Sequence, residues 1–497
     1  VRPALAARAA VVVVAAAVVV LLLLVIVRLP WAGDLGVHAA TVQRLRHNLL
    51  DPGNPLVDAD TPSPYYSPWM VVLGCVARVS DLSVFWVLRI GAFVGLGLLV
   101  TGVWRYVRTL SGRGAAPAVA LLSLLFLWGT VLFTWSGFYG LNSLALTVSY
   151  PSVFALGLAF HLWAWLGRAV REDGGWGVWL GLGVLWAVIL LCHQFSGVVA
   201  SLGAVATVLA ARPGRAVWGR LGCGVVLGLV VLLMWPYYDF FALAGAWGGL
   251  ESVHRPLYED LFGRYWLVLL GVVALGARWW RDRWDPLVLF FVLGFAVVAV
   301  GGVSGQYAWG RVLPAVLIPA QVAVAVEVGE AGRRAVRVGW GCVLGVALAV
   351  GAWTQVGTVG YVVRPGDLPG AVSGALSGVV AEKYREPWVG YQWMTRWVRY
   401  GDVVMARLGR PSAQIPAYGA YTVAPGYPDF FLPDEGRREE AVRRYFGVGV
   451  SEGERGAILR EYGVRWVMGT GADGRRGVGL REVGRGPGGQ VLYAVVR

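Results

Sequence analysis

Lysine is almost missing from this chain of 497 residues: of 43 basic residues, only Lys383 is not arginine. Charge of either sign is scarce, at 14% of residues against 57% hydrophobic, which excludes a soluble domain of ordinary composition. Cysteine is confined to Cys75, Cys192, Cys223 and Cys342, standing singly in or beside apolar segments, so metal-type spacing is excluded. No glycine-rich loop ends in the lysine of a phosphate-binding loop, and there is no internal repeat or low-complexity tail. Nothing points to nucleotide binding. The net charge of +14 would suggest nucleic acid in a soluble protein, but most of it lies in short connections between apolar runs, where it orients membrane spans.

What is abundant is long apolar sequence. Eleven stretches predict helices near Ala9–Val27, Ser83–Trp104, Ala116–Phe133, Pro151–Leu166, Trp176–Leu191, Phe195–Ala211, Val217–Trp235, Tyr265–Ala277, Pro286–Val303, Val312–Val328 and Val338–Thr354. Alternate connections carry the arginines: Arg2 and Arg8; Arg105, Arg108 and Arg113; Arg168 and Arg171; Arg212, Arg215 and Arg220; Arg278, Arg281 and Arg283; Arg333, Arg334 and Arg337. The positive-inside rule places this set in the cytoplasm. The amino terminus is then cytoplasmic, the first span an uncleaved one, and an odd number of spans puts the carboxy-terminal residues outside. Arginine-, alanine- and glycine-rich composition suggests a high-GC bacterium and its plasma membrane.

The expected organisation is an all-α polytopic membrane domain over residues 1–356, with outward loops 28–82 and 236–264, followed by an extracytoplasmic α/β domain over 357–497. In the first loop, Leu35, Val42, Leu45 and Leu49 recur at helical spacing opposite Gln43, Arg44, Arg46 and His47, a pattern expected of a helix in the membrane interface. A proline-rich stretch with Tyr65-Tyr66-Ser67 leads into a second apolar piece, Trp69–Val79. The second loop carries a glycine-rich turn and Glu251, His254 and Arg255. In the tail, strands are expected at Asp402–Ala406, Val464–Met468 and Val491–Val496, and helices at Glu439–Phe446 and Glu454–Tyr462.

Asp34 stands just past the first span, where an ionised carboxylate is costly unless hydrated or partnered. It either caps the helix that follows, at about 1 kcal/mol, or serves chemistry, with His38 four residues later on the same face. A first span, an acidic residue, an interfacial helix, a Pro-Tyr-Tyr-Ser-Pro run and a second short helix, within about eleven spans and an outward tail, resemble the GT-C superfamily of integral-membrane glycosyltransferases. The resemblance covers the whole chain as architecture and only short motifs as residues. It implies transfer of a sugar from a polyprenyl-phosphate carrier to an extracytoplasmic glycan, lipid or protein acceptor in envelope assembly, with Asp34 as catalytic base. One carboxylate suffices for inverting transfer, because a phosphate leaving group needs no general acid.

Such a leaving group calls for cations, and Arg311, Arg255, Arg264 and His254 occupy expected outward positions. Arg311 could equally snorkel to lipid head groups, and the others could be a solvated loop. His38, Tyr65, Tyr66, Glu251 and Trp309 are candidates for substrate contact, although an interfacial aromatic belt explains the aromatic ones as well. Glu251, Asp58, Asp60 and Asp239 could supply a second carboxylate; no cofactor is called for, and a divalent cation beside Asp34 is left open. The turn-rich aromatic run from Pro416 to Pro433 could be a carbohydrate platform or a packing surface. A polytopic transporter or flippase of envelope precursors is the alternative. It would place ionisable residues at mid-membrane in broken helices.

Overall fold

The computed structural model describes residues 2–243, 251–330, 334–364, 375–473 and 479–496. Arg333 and the glycine-rich turn of 244–250 lie outside them. Packing gathers the chain into two compact units. One comprises Val1–Pro30, Ala92–Trp235 and Phe240–Glu386; the other comprises Trp31–Gly91, Pro236–Asp239 and Pro387–Arg497.

In the first unit the apolar runs form helices, because only helices satisfy every backbone group away from water. Among the described residues, nine helices are long and apolar enough to cross a membrane, and Ala116–Phe126 and Trp176–Cys192 are shorter apolar helices. The protein is a multi-pass membrane protein. The helix expected over Ala116–Phe133 stops at Phe126. Two buried amides make that early stop tolerable: Gln355 Nε2 donates to the Leu125 carbonyl at 2.7 Å and Gln321 Nε2 to the Leu127 carbonyl at 2.8 Å. The irregular stretch beyond is tied to protein, with the Thr130 N–H donating to the Gly263 carbonyl at 2.9 Å. Before the helix that begins at Pro151 lies a short helix, Leu141–Thr147.

At another helix junction the arginines expected in the cytoplasm do more than orient spans. Arg278 pairs with Asp285 at 2.7 Å and with Glu327 at 3.2 Å, and Arg281 also pairs with Glu327. Asp285 in turn accepts from the Leu287 N–H at 2.9 Å, capping the helix Pro286–Ser304.

The second unit holds a five-stranded sheet: β1 Val403–Ala406, β2 Tyr421–Thr422, β3 Trp466–Gly469, β4 Leu480–Arg485 and β5 Val491–Val495. The order is β2-β1-β3-β5-β4, with β2, β1 and β3 parallel and the hairpin β4–β5 antiparallel. All four residues of β1 are buried, as a central parallel strand requires. Val403 and Met405 face Val442, Tyr445, Ile458 and Leu459 of the helices Glu435–Phe446 and Glu452–Glu461. Val404 and Ala406 face Met394, Val398 and Ile415. The expected strands and helices of the tail are present; the two-residue β2 and the polar β4 carried too little pattern to be read.

The helix Leu35–His47 does not lie as an amphipathic surface element. It is buried along most of its length, and Arg44, expected on its polar face, is fully buried. The Arg44 guanidinium donates to the carbonyls of Gly419 at 2.9 Å and Ala420 at 2.6 Å and stacks on the Tyr421 ring at 3.6 Å. Gly36 makes the approach possible, since a Cβ there would stand 1.9 Å from the Ala413 carbonyl oxygen. Residues of the first expected outward loop thus pack, from Trp31 onward, with the carboxy-terminal segment.

Candidate functional site

The candidate residues fall into two groups, one in each unit. In the sheet-containing unit, Asp34 occupies the N-cap position of the helix Leu35–His47, with φ −81° and ψ 8°, and its side chain makes no capping hydrogen bond. The capping alternative therefore fails on geometry: the usual cap has extended backbone, and Asp34 does not. The half-buried carboxylate lies near the Tyr427 phenol, whose hydroxyl donates to the Gly33 carbonyl at 2.8 Å. Burial first, and the Asp34 charge second, hold that phenol well above its ordinary titration range. His38 is buried one turn on, its ring edge-on to Tyr65 at 6.3 Å, and burial lowers its pKa to about 3. It is a neutral imidazole at any physiological pH.

Tyr65 and Tyr66, adjacent in sequence, separate in space. Tyr65 is half-buried beside the Val37, Leu56 and Tyr427 packing cluster. Tyr66 is buried, donates its hydroxyl to the Gly53 carbonyl at 2.8 Å, and packs on Tyr237. That is a core position, unsuited to direct sugar contact. Asp58 and Asp60 are exposed.

In the helical unit the cations gather at one end of the helix Gln194–Ala211. His193 is its N-cap, and its Nδ1 accepts from the Ser196 N–H at 3.2 Å. Nδ1 also lies 2.7 Å from the Ser196 hydroxyl. Nε2 is 3.3 Å from Nη2 of Arg311. A guanidinium held beside a helix N-terminus forms a natural place for an anionic oxygen. The Arg311 guanidinium lies over Phe195 at 4.5 Å and Trp135 at 5.8 Å. The buried His254 ring touches the same two aromatics, at 6.0 and 6.1 Å.

Arg311 itself comes from the turn Tyr307–Val312, which Glu251 steadies by accepting from the Ala308 N–H at 3.2 Å. Glu251 therefore positions the turn. Trp309 is half-buried and packs on Gly301, where a Cβ would come within 2.6 Å of its own Cβ. Arg264 lies over Phe133 at 4.8 Å and donates to the Pro256 carbonyl, a bracing role for the turn Arg255–Tyr258. Arg255 is exposed and makes no ion pair among the described residues. The structure thus joins Arg311 with His254, and adds His193, Trp135 and Phe195. Only the fold places His193 against Arg311. No cluster of three or more His, Cys, Asp or Glu side chains with metal-holding geometry occurs among the described residues.

No protein-family model matches this sequence, and no curated protein does. Solved structures do match, over nearly the full chain. ArnT from Cupriavidus metallidurans in the apo state gives a TM-score of 0.56 at 16% identity, covering 99% of this chain and 98% of that one. The chain has the GT-C fold. ArnT from the same organism bound to undecaprenyl phosphate matches with a TM-score of 0.52 at 16% identity, covering 98% of each chain. The arabinofuranosyltransferase AftD from Mycobacteria matches with a TM-score of 0.58 at 15% identity, covering 97% of this chain and 40% of that one. This chain accordingly spans about two fifths of the AftD chain.

Proposed function

We propose that this GT-C chain is a membrane glycosyltransferase that moves a sugar from a polyprenyl-phosphate carrier to an acceptor hydroxyl on the extracytoplasmic side of a bacterial plasma membrane. The full-length likeness to ArnT, which was solved with undecaprenyl phosphate bound, carries the reading. In this scheme the acceptor oxygen attacks the anomeric carbon as the carbon–oxygen bond to phosphate breaks. The electron pair leaves with the phosphate and the proton goes to Asp34. The anomeric configuration inverts. Arg311, with His193 and His254 beside it, holds the charge that develops on the departing phosphate. Arg255 is a further cation available to solvent, while Arg264 and Glu251 brace the turns that carry these groups. The Asp34 carboxylate is supported as base by its place just past the first span, half-buried at the start of the helix Leu35–His47.

The test is direct transfer by the purified full chain, using radiolabelled polyprenyl-phosphate pentoses and hexoses with envelope glycan, lipid and peptide acceptors. Labelled product of inverted configuration is expected, with release of polyprenyl phosphate. A run with chelator separates a metal-assisted reaction from a metal-free one. Absence of product from every pair, together with measured movement of the carrier lipid across vesicle bilayers, would replace transfer with flipping.

A further inference from the structure

A second basic site lies in the helical unit, away from Arg311. Arg105 and Arg108, near the end of the helix Val84–Leu110, and Arg168, near the end of Pro151–Arg171, surround a cavity of about 340 Å³. Trp104 and Trp165 flank it, 46% and 37% exposed. Among the described residues, no acidic side chain lines the cavity. The nearest compensation is weak: Arg168 stands 3.9 Å from the exposed Glu172, Arg108 donates to the Gly112 carbonyl at 2.9 Å, and Arg105 lies over Trp165 at 5.8 Å.

Three guanidinium groups repel one another, and the two helix ends offset only about half a charge each, which leaves a field on the order of +2. An anion bridging them removes that cost. The site is distinct from the Arg311 cluster. Ser136, next to Trp135, bonds Ser152 at 3.0 Å at the start of the helix that ends near Arg168. The two ends are separated by roughly 24 Å at about 1.5 Å per residue.

We infer that Arg105, Arg108 and Arg168 bind the phosphate of an anionic phospholipid. Both helices qualify as membrane spans, and an exposed indole on either side of a basic cavity suits a ligand whose head group sits at the interface while its chains run along the helices. Free phosphate shares the head-group chemistry without the chains.

Native mass spectrometry of the full chain in detergent, titrated with phosphatidylglycerol, phosphatidylcholine and inorganic phosphate, distinguishes these sources. Phosphatidylglycerol is expected to be retained at concentrations at least about tenfold below phosphatidylcholine. The R105Q/R108Q/R168Q variant should lose that preference, and R105K/R108K/R168K should keep most of it. Equal retention of the two lipids by the wild-type chain overturns the inference without reference to any variant. So does an unchanged preference in the glutamine variant, or displacement of phosphatidylglycerol by about 1 mM inorganic phosphate.

Discussion

Asp34 and His193 both stand immediately before a helix, and they use the position in opposite ways. Aspartate is among the best capping residues and histidine is not. Yet the His193 ring accepts from the Ser196 N–H, whereas the Asp34 carboxylate makes no cap bond. Residue type at a helix start therefore does not fix role. The imidazole is committed, with one nitrogen given to its helix and the other turned to Arg311. The carboxylate makes no bond to the start of its helix, which Gly36 and Arg44 fix from elsewhere along its length.

The largest test of that contrast is Asp34→Asn. Asparagine keeps the size of the side chain and removes the charge, so the variant should fold while transfer falls about 10²–10⁴-fold. Wild-type turnover would remove Asp34 from the chemistry. Next comes Arg44→Met, which leaves the carbonyls of Gly419 and Ala420 buried without these donors. A loss of roughly 3 kcal/mol in stability is expected at about 1–3 kcal/mol per buried group. A shift of less than about 0.5 kcal/mol in denaturant titration would mean that the helix is held by something else.

Arg311→Gln should lower kcat/KM about 10–100-fold, the worth of one charge-assisted contact. Tighter binding of the carrier phosphate by the variant would count against the assigned role. His38 offers a pH test. Its folded pKa is lowered from 6.5 to about 3, so the unfolded chain binds the extra proton between these values. Stability falls as pH drops through that window, by up to about 1.4 kcal/mol per pH unit. Melting followed from pH 6.5 to 5, above the carboxylate range, should show a slope that His38→Phe flattens. The smallest effect is His193→Ala, about 1 kcal/mol for the lost cap. A matching loss in Asp34→Ala would erase the difference between the two positions.

Much of this fold is legible because hydropathy is a local property. Each expected apolar run is helical where the lipid-length pattern says so, and Asp34 stands out as a charge at the edge of such a run. The exceptions have long-range causes. Helix Ala116–Phe126 ends early because Gln321 and Gln355, some 200 residues later, satisfy the carbonyls that the break frees. Arg44 looked solvated because its partners Gly419 and Ala420 are more than 370 residues away. Tyr427 was one aromatic among many in a turn-rich run, and only its bond to Gly33 sets it beside Asp34.

The sequence by itself determined that the protein is built of membrane helices with a small α/β unit, since apolar run length and strand or helix periodicity are written residue by residue. Only the tertiary structure decided that Arg311 and His254 share two aromatic rings with His193 beside Arg311, and that Asp34 makes no cap bond to its own helix. Those are matters of distance between segments remote in the chain, and no local pattern encodes a distance.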